Sequence, residues 1–143
     1  PLQILTGVWL AVSMSLVLTV LPIALGFRDM VGDISYTQPW LLVFEFVYSI
    51  FGVALAEELI FRGYLFYKLL AVKNSRWFTI LLSSALFGLF HVFSGSFIQV
   101  FLTAAIGLLF CLFREKVRGC TLLSLIVAHG LYDAMIVLWV SIL

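Results

Sequence analysis

The chain has 143 residues, of which 64% are hydrophobic and only 10% charged. A soluble globule of this length would be left with too little polar surface, so the composition excludes that class and indicates a membrane protein. A formal net charge of +1 leaves no basic face for nucleic acid and no acidic tail.

A bilayer core about 30 Å thick needs roughly 20 apolar residues of helix, at about 1.5 Å of rise each. The first qualifying run extends from Ile4 to Phe27. It lacks the short apolar region and small-residue cleavage site of a signal peptide, and the chain opens on Pro1, so it reads as a fragment or processed core. The second run starts after Pro39 and continues to about Leu70. At about 48 Å if helical throughout, it must tilt, break or protrude. Gly52 and Gly63 bracket its charged cluster and would allow a bend. The remaining runs are Trp77 to Phe93, Phe97 to Phe113 and Thr121 to Leu143. The short alternating segments of a β-barrel are not found. The expected fold class is all-α, a polytopic transmembrane bundle of about five helices forming a single membrane domain, with its motif-bearing core over residues 40–143.

Lys and Arg near helix ends tend to stay in the cytoplasm. Lys68, Lys73 and Arg76 flank the second break, and Arg114, Lys116 and Arg118 occupy the fourth. The first break holds Arg28, Asp29 and Asp33, and the third, "SGS", holds no charge. Breaks two and four are therefore expected in the cytoplasm and the C terminus outside, in a multi-pass protein of the plasma membrane. Cys111 lies in an apolar run and Cys120 in the loop after it, without CxxC spacing, which argues against a disulfide or a cysteine zinc site.

Ionisable side chains inside a spanning segment cost several kcal/mol each and normally face the bundle interior with a partner. Glu45 lies near a helix end and can reach the interface, which leaves Glu57, Glu58, Arg62, His91, His129 and Asp133 as a set on three helices. At about 100° per residue, Glu58 and Arg62 are nearly eclipsed and suited to an ion pair, whereas Glu57 points about 140° away from Arg62. A plain structural salt bridge explains Glu58 and Arg62; a desolvated Glu57 has instead the character of a general base. "FGLFH" sets Phe87 and His91 on one face, where a histidine beside aromatics is also an ordinary core group. "AHGLYD" sets Asp133 one turn after His129, close enough to orient the imidazole or simply to bond a neighbour. Lipid solvates none of these groups, so the economical arrangement gathers Glu57, His91, His129 and Asp133 around one water-accessible cavity. That set suffices to activate water and stabilise an oxyanion, and Glu57, His91 and His129 could also hold zinc. By rise per residue His129 lies about 12 Å and His91 about 21 Å from their cytoplasmic ends, so tilt or broken helices must bring them level.

The ordered motifs "EELIFR", "FGLFH" and "HGLYD" resemble those of the CPBP family, the CAAX-processing endopeptidases and bacteriocin-processing proteins also called Abi. The resemblance covers roughly residues 40 to 143. It implies an intramembrane endopeptidase in which Glu57 and His91 activate the attacking water and His129 and Asp133 stabilise the oxyanion. Glu58, Arg62 and Phe87 then support the site. Where prenyl-protein endopeptidases carry Asn, this chain has Asp133, which donates only when protonated and otherwise orients His129 or helps bind a metal. The family is often labelled metalloprotease, yet the HExxH zinc helix is missing and a metal-free mechanism is equally consistent, so zinc or another divalent metal is an open cofactor. The family usually has more helices than five. The implied partners are the lipid bilayer and a peptide or membrane-protein substrate. In a bacterium, maturation of a pheromone or bacteriocin, or self-immunity, fits better than prenylated CAAX proteins.

Two other classes use the same residue types. A proton- or metal-coupled transporter needs intramembrane carboxylates and histidines, but here they gather at one locality without an inverted repeat. A non-catalytic immunity or interaction protein would keep the constellation for structure alone. Stripes such as "FTILLSSALF" and "FLTAAIGLLF" read as packing surfaces.

Overall fold

A computed structural model describes residues 1–32, 34–93 and 97–143. Asp33 of the first break and the "SGS" of the third lie outside the described residues. Among the described residues there is no strand, and five helices follow one another: α1 (Leu2–Ala24), α2 (Pro39–Val72), α3 (Arg76–Phe90), α4 (Phe97–Lys116) and α5 (Leu122–Ile142). α1, α2, α4 and α5 are long and apolar enough to cross a membrane, and the protein is an integral membrane protein. α3 ends before the close of its apolar run. It stops at Phe90, and its 15 residues reach only about 22 Å, short of a full crossing.

The backbone divides into two compact units, Pro1–Ala56 with Leu123–Leu143, and Glu57–Leu122. In the first, α1 and α5 approach at Gly7, where a Cβ would stand 2.6 Å from the Ser124 carbonyl oxygen. The Trp139 indole donates to the Ser15 hydroxyl at 2.6 Å, and Arg28 donates to the Val140 carbonyl at the end of α5. Gly130, between His129 and Asp133, meets the backbone of α2: a Cβ there would stand 2.5 Å from Cα of Ile50. Backbone cannot yield as a side-chain tip can, so Gly130→Ala should destabilise the fold by about 1–3 kcal/mol. Thermal unfolding in detergent checks this, and an unchanged midpoint would show the contact to be slack.

In the second unit, α3 and α4 pack along small residues. Thr79, Ser83, Ser84 and Gly88 lie on the buried face of α3, and Thr103, Gly107 and Cys111 on that of α4, which lets the backbones approach closely. A Cβ on Gly88 would stand 2.6 Å from the Val100 carbonyl oxygen. Arg76 at the start of α3 pairs with Glu115 near the end of α4, so the second and fourth chain breaks share one end of this unit. Cys111 and Cys120 are both free thiols. Burial pushes the Cys120 thiol above its ordinary value, with Arg114 opposing.

The long helix α2 has no proline between Trp40 and Val72 to kink it. It widens into π-type turns at Ser49–Ala54 and Leu59–Leu65, which contain Gly52 and Gly63. Single widened turns inside α-helices recur at functional sites because they re-aim side chains and loosen carbonyls. The short α-helical stretch between them, Leu55–Glu58, carries the two glutamates.

Candidate active site

The second widened turn is held from both neighbouring helices. The Ser83 hydroxyl on α3 donates to the Phe61 carbonyl at 3.1 Å, and the Arg114 guanidinium on α4 donates to the Arg62 carbonyl. Apolar surroundings offer no water to a loosened carbonyl, so such side chains satisfy what the ladder releases.

Glu58, just before this turn, and Arg62 within it form an ion pair at 2.9 Å with both side chains essentially fully buried. The guanidinium lies over the Phe87 ring, 4.0 Å from its centroid, and 5.4 Å from that of Phe110. Cation–π contact with two rings supplements the carboxylate in a place where hydration is absent. Phe87 continues the packing outward, edge-on to Phe61 at 5.1 Å and to the His91 ring at 5.0 Å.

Glu57, one residue before Glu58, faces elsewhere. Its Oε1 lies 3.8 Å from His91 Nε2, and the two side chains are 13% and 23% exposed. Their common level follows from chain length. Glu57 stands 15 residues before the end of α2 at Val72, and His91 15 residues after the start of α3 at Arg76. Two antiparallel arms of equal length bring both groups about 22 Å from the turn that joins them. The shortness of α3 is therefore what sets the depth of His91. His91 is the first residue beyond the helix, its N–H closing a tight turn onto the Gly88 carbonyl at 3.0 Å.

The imidazole is oriented by its other nitrogen. Nδ1 lies 2.9 Å from the Phe87 carbonyl oxygen, which can only accept, so Nδ1 carries the hydrogen. In the neutral ring that leaves Nε2 as an acceptor directed at the same region as the Glu57 carboxylate.

His129 and Asp133 belong to the first unit, both on α5. His129 Nε2 lies 3.3 Å from Asp133 Oδ2, the histidine nearly buried and the aspartate one-third exposed. An ionised Asp133 accepts from Nε2–H and so fixes the ring, the orienting role of a carboxylate behind a histidine. The structure thus brings the predicted residues together as three pairs: Glu58 with Arg62, Glu57 with His91, and His129 with Asp133. Zinc through Glu57, His91 and His129 needs three gathered donors. Among the described residues no group of three or more His, Cys, Asp or Glu side chains is arranged to hold a metal ion. No step below runs through a metal.

Several contributors carry no chemical mark in the sequence. Ser83 and Arg114 read as a packing residue and a topology charge, yet each holds a carbonyl of the widened turn. The glycines inside "FGLFH" and "HGLYD" are the only available signal for Gly88 and Gly130.

The second unit of this helical membrane protein brings a carboxylate within 3.8 Å of an imidazole nitrogen, side chains of the types that carry acid–base chemistry. Residues 39–135 match the family described as type II CAAX prenyl endopeptidase Rce1-like. The match covers about two thirds of the chain and spans all three motifs, and the chain belongs to this family of CAAX-protease-type endopeptidases. No curated protein and no solved structure matches significantly.

Proposed function

We propose that this chain is an intramembrane endopeptidase that hydrolyses a peptide bond with water held between Glu57 and His91. The observation that carries the reading is the 3.8 Å separation of Glu57 Oε1 and His91 Nε2, with Nδ1 committed to the Phe87 carbonyl. Two acceptors so spaced fit one water that donates a hydrogen to each at about 2.8 Å. The water's lone pairs then face away from both groups, toward an incoming carbonyl carbon. As the water oxygen attacks, Glu57 takes its proton, and the carbonyl oxygen becomes an oxyanion. The family resemblance assigns His129 to stabilising that charge, as an imidazolium whose Nε2–H stays with Asp133 and whose Nδ1–H is the donor, where preorganised donors give the largest gain. Collapse expels the amine, which receives the proton from Glu57.

The family's description supports a membrane-associated peptide as substrate, a prenylated CAAX segment being the form it names. In this reading the end of the second unit that bears Lys68, Lys73, Arg76, Arg114, Lys116 and Arg118 faces the cytoplasm of a plasma membrane, and the C terminus lies outside.

Purified protein in liposomes, given a peptide library in ¹⁸O-labelled water, should yield products whose new carboxyl ends each carry one labelled oxygen. Ion flux that needs His91, without any cleaved product, would replace the peptidase by a transporter. The role of His129 has its own check, a spectroscopic distance between labels at positions 91 and 129. A separation beyond about 10 Å would take His129 out of the reaction.

A further inference from the structure

Gly107 lies on the buried face of α4, within a stripe whose sequence suggests only close helix packing. Its neighbours are of a different kind. A Cβ built on Gly107 would stand 3.0 Å from Phe87 Cδ1, 3.1 Å from Arg62 Nη2 and 3.4 Å from Phe87 Cβ. At Gly7, Gly88 and Gly130 the closest atom is backbone, so those glycines set helix spacing. At Gly107 the vacant volume is taken by the two side chains that stack behind His91.

Both have close neighbours on their other sides. Phe87 is 1% exposed and wedged edge-on against Phe61 and His91. Arg62 is tied to Glu58 at 2.9 Å and has the Phe110 ring close by. A methyl group at position 107 must therefore move Phe87 from its Cβ outward or lift the guanidinium off the ring. Displacing Phe87 disturbs its carbonyl, the acceptor that holds His91 Nδ1 at 2.9 Å.

The geometry points to Gly107 as a positioning residue for His91: its missing side chain seats the Arg62–Phe87 stack, and the seated Phe87 presents the carbonyl that fixes the imidazole tautomer toward Glu57. The activity arm of the test rests on the peptidase reading, whereas the tautomer arm does not. The chain has two histidines, so imidazole ¹⁵N signals of the whole protein in detergent can be assigned by comparison with His129→Asn. Wild-type His91 should show protonated Nδ1 and unprotonated Nε2. Gly107→Ala should mix or invert that pattern and lower kcat by up to about 10-fold, because the neighbours must give by a few tenths of an ångström, with KM changed less than about twofold. Adding Phe87→Leu to Gly107→Ala vacates the ring edge and keeps the carbonyl, and it should restore the Nδ1-protonated form. A folded Gly107→Ala protein with wild-type His91 signals overturns the proposal. If Gly107→Ala does not fold, the double variant decides: the wild-type tautomer in a folded protein supports the role, and any other result overturns it. If Gly107→Ala shifts the tautomer while cleavage in wild type proves independent of Glu57, positioning stands and the peptidase assignment falls.

Discussion

Glu57→Gln should lower peptide turnover by about 10²- to 10⁴-fold, the usual worth of a positioned general base, while the protein stays folded. The amide has the size of the carboxylate, and its oxygen can still accept a hydrogen bond from water. It cannot take the proton that attack releases. Its NH₂ group, rotated toward His91 Nε2 across the present 3.8 Å gap, would also occupy the imidazole's one acceptor site. Stability should change little, because the buried ion pair belongs to Glu58 and Arg62 and Glu57 is partly exposed. The measurement is cleavage by liposome-reconstituted protein, paired with thermal unfolding of the same sample. Wild-type turnover in folded Glu57→Gln protein would remove Glu57 from the mechanism. Full biological protection by an inert variant would instead identify an immunity protein that uses the constellation as scaffold.

The helices are legible in the sequence because bilayer thickness imposes a length on every apolar run. Ends at Pro39 and in the basic breaks mark themselves by residue type. The extent of α3 was not legible. Val92 and Phe93 are as apolar as the helix before them, and only the turn that caps onto Gly88 ends it early. The widened turns of α2 were equally hidden, since a π-type turn changes hydrogen-bond partners without requiring a particular residue. Glycines at 52 and 63 signalled a possible bend, but what holds the second turn open is Ser83 and Arg114 from other helices. Angular arithmetic separated Glu57 from the Arg62 pair while assuming a regular helix. The ion pair forms at 2.9 Å despite the irregular turn around it. What no periodicity could supply is the hydrogen bond from His91 to the Phe87 carbonyl. It follows from where one helix stops, and it decides which nitrogen meets Glu57.

Glu58→Gln should act on stability far more than on chemistry. Glu58 and Arg62 are both essentially fully buried, and the guanidinium has rings at 4.0 and 5.4 Å where water would otherwise be. Removing one charge leaves the other desolvated and uncompensated, a loss of about 3–5 kcal/mol for a buried pair. Aromatic faces recover only about 2 kcal/mol for a desolvated cation and already do so in the wild type. The unfolding midpoint of Glu58→Gln should therefore fall well below wild type, and protein surviving at low temperature should still cleave peptide. Replacing both members with apolar residues of similar volume, Glu58→Leu with Arg62→Met, removes the buried charge altogether. That variant should regain most of the lost stability, because a buried pair stabilises little relative to a well-packed apolar substitute. Any turnover deficit remaining in it then measures how much the seated guanidinium contributes to holding Phe87 and, through its carbonyl, His91. Glu58→Gln protein with wild-type stability and no turnover would place the second glutamate in the chemistry, and the division of labour within the Glu57–Glu58 doublet would have to be reversed.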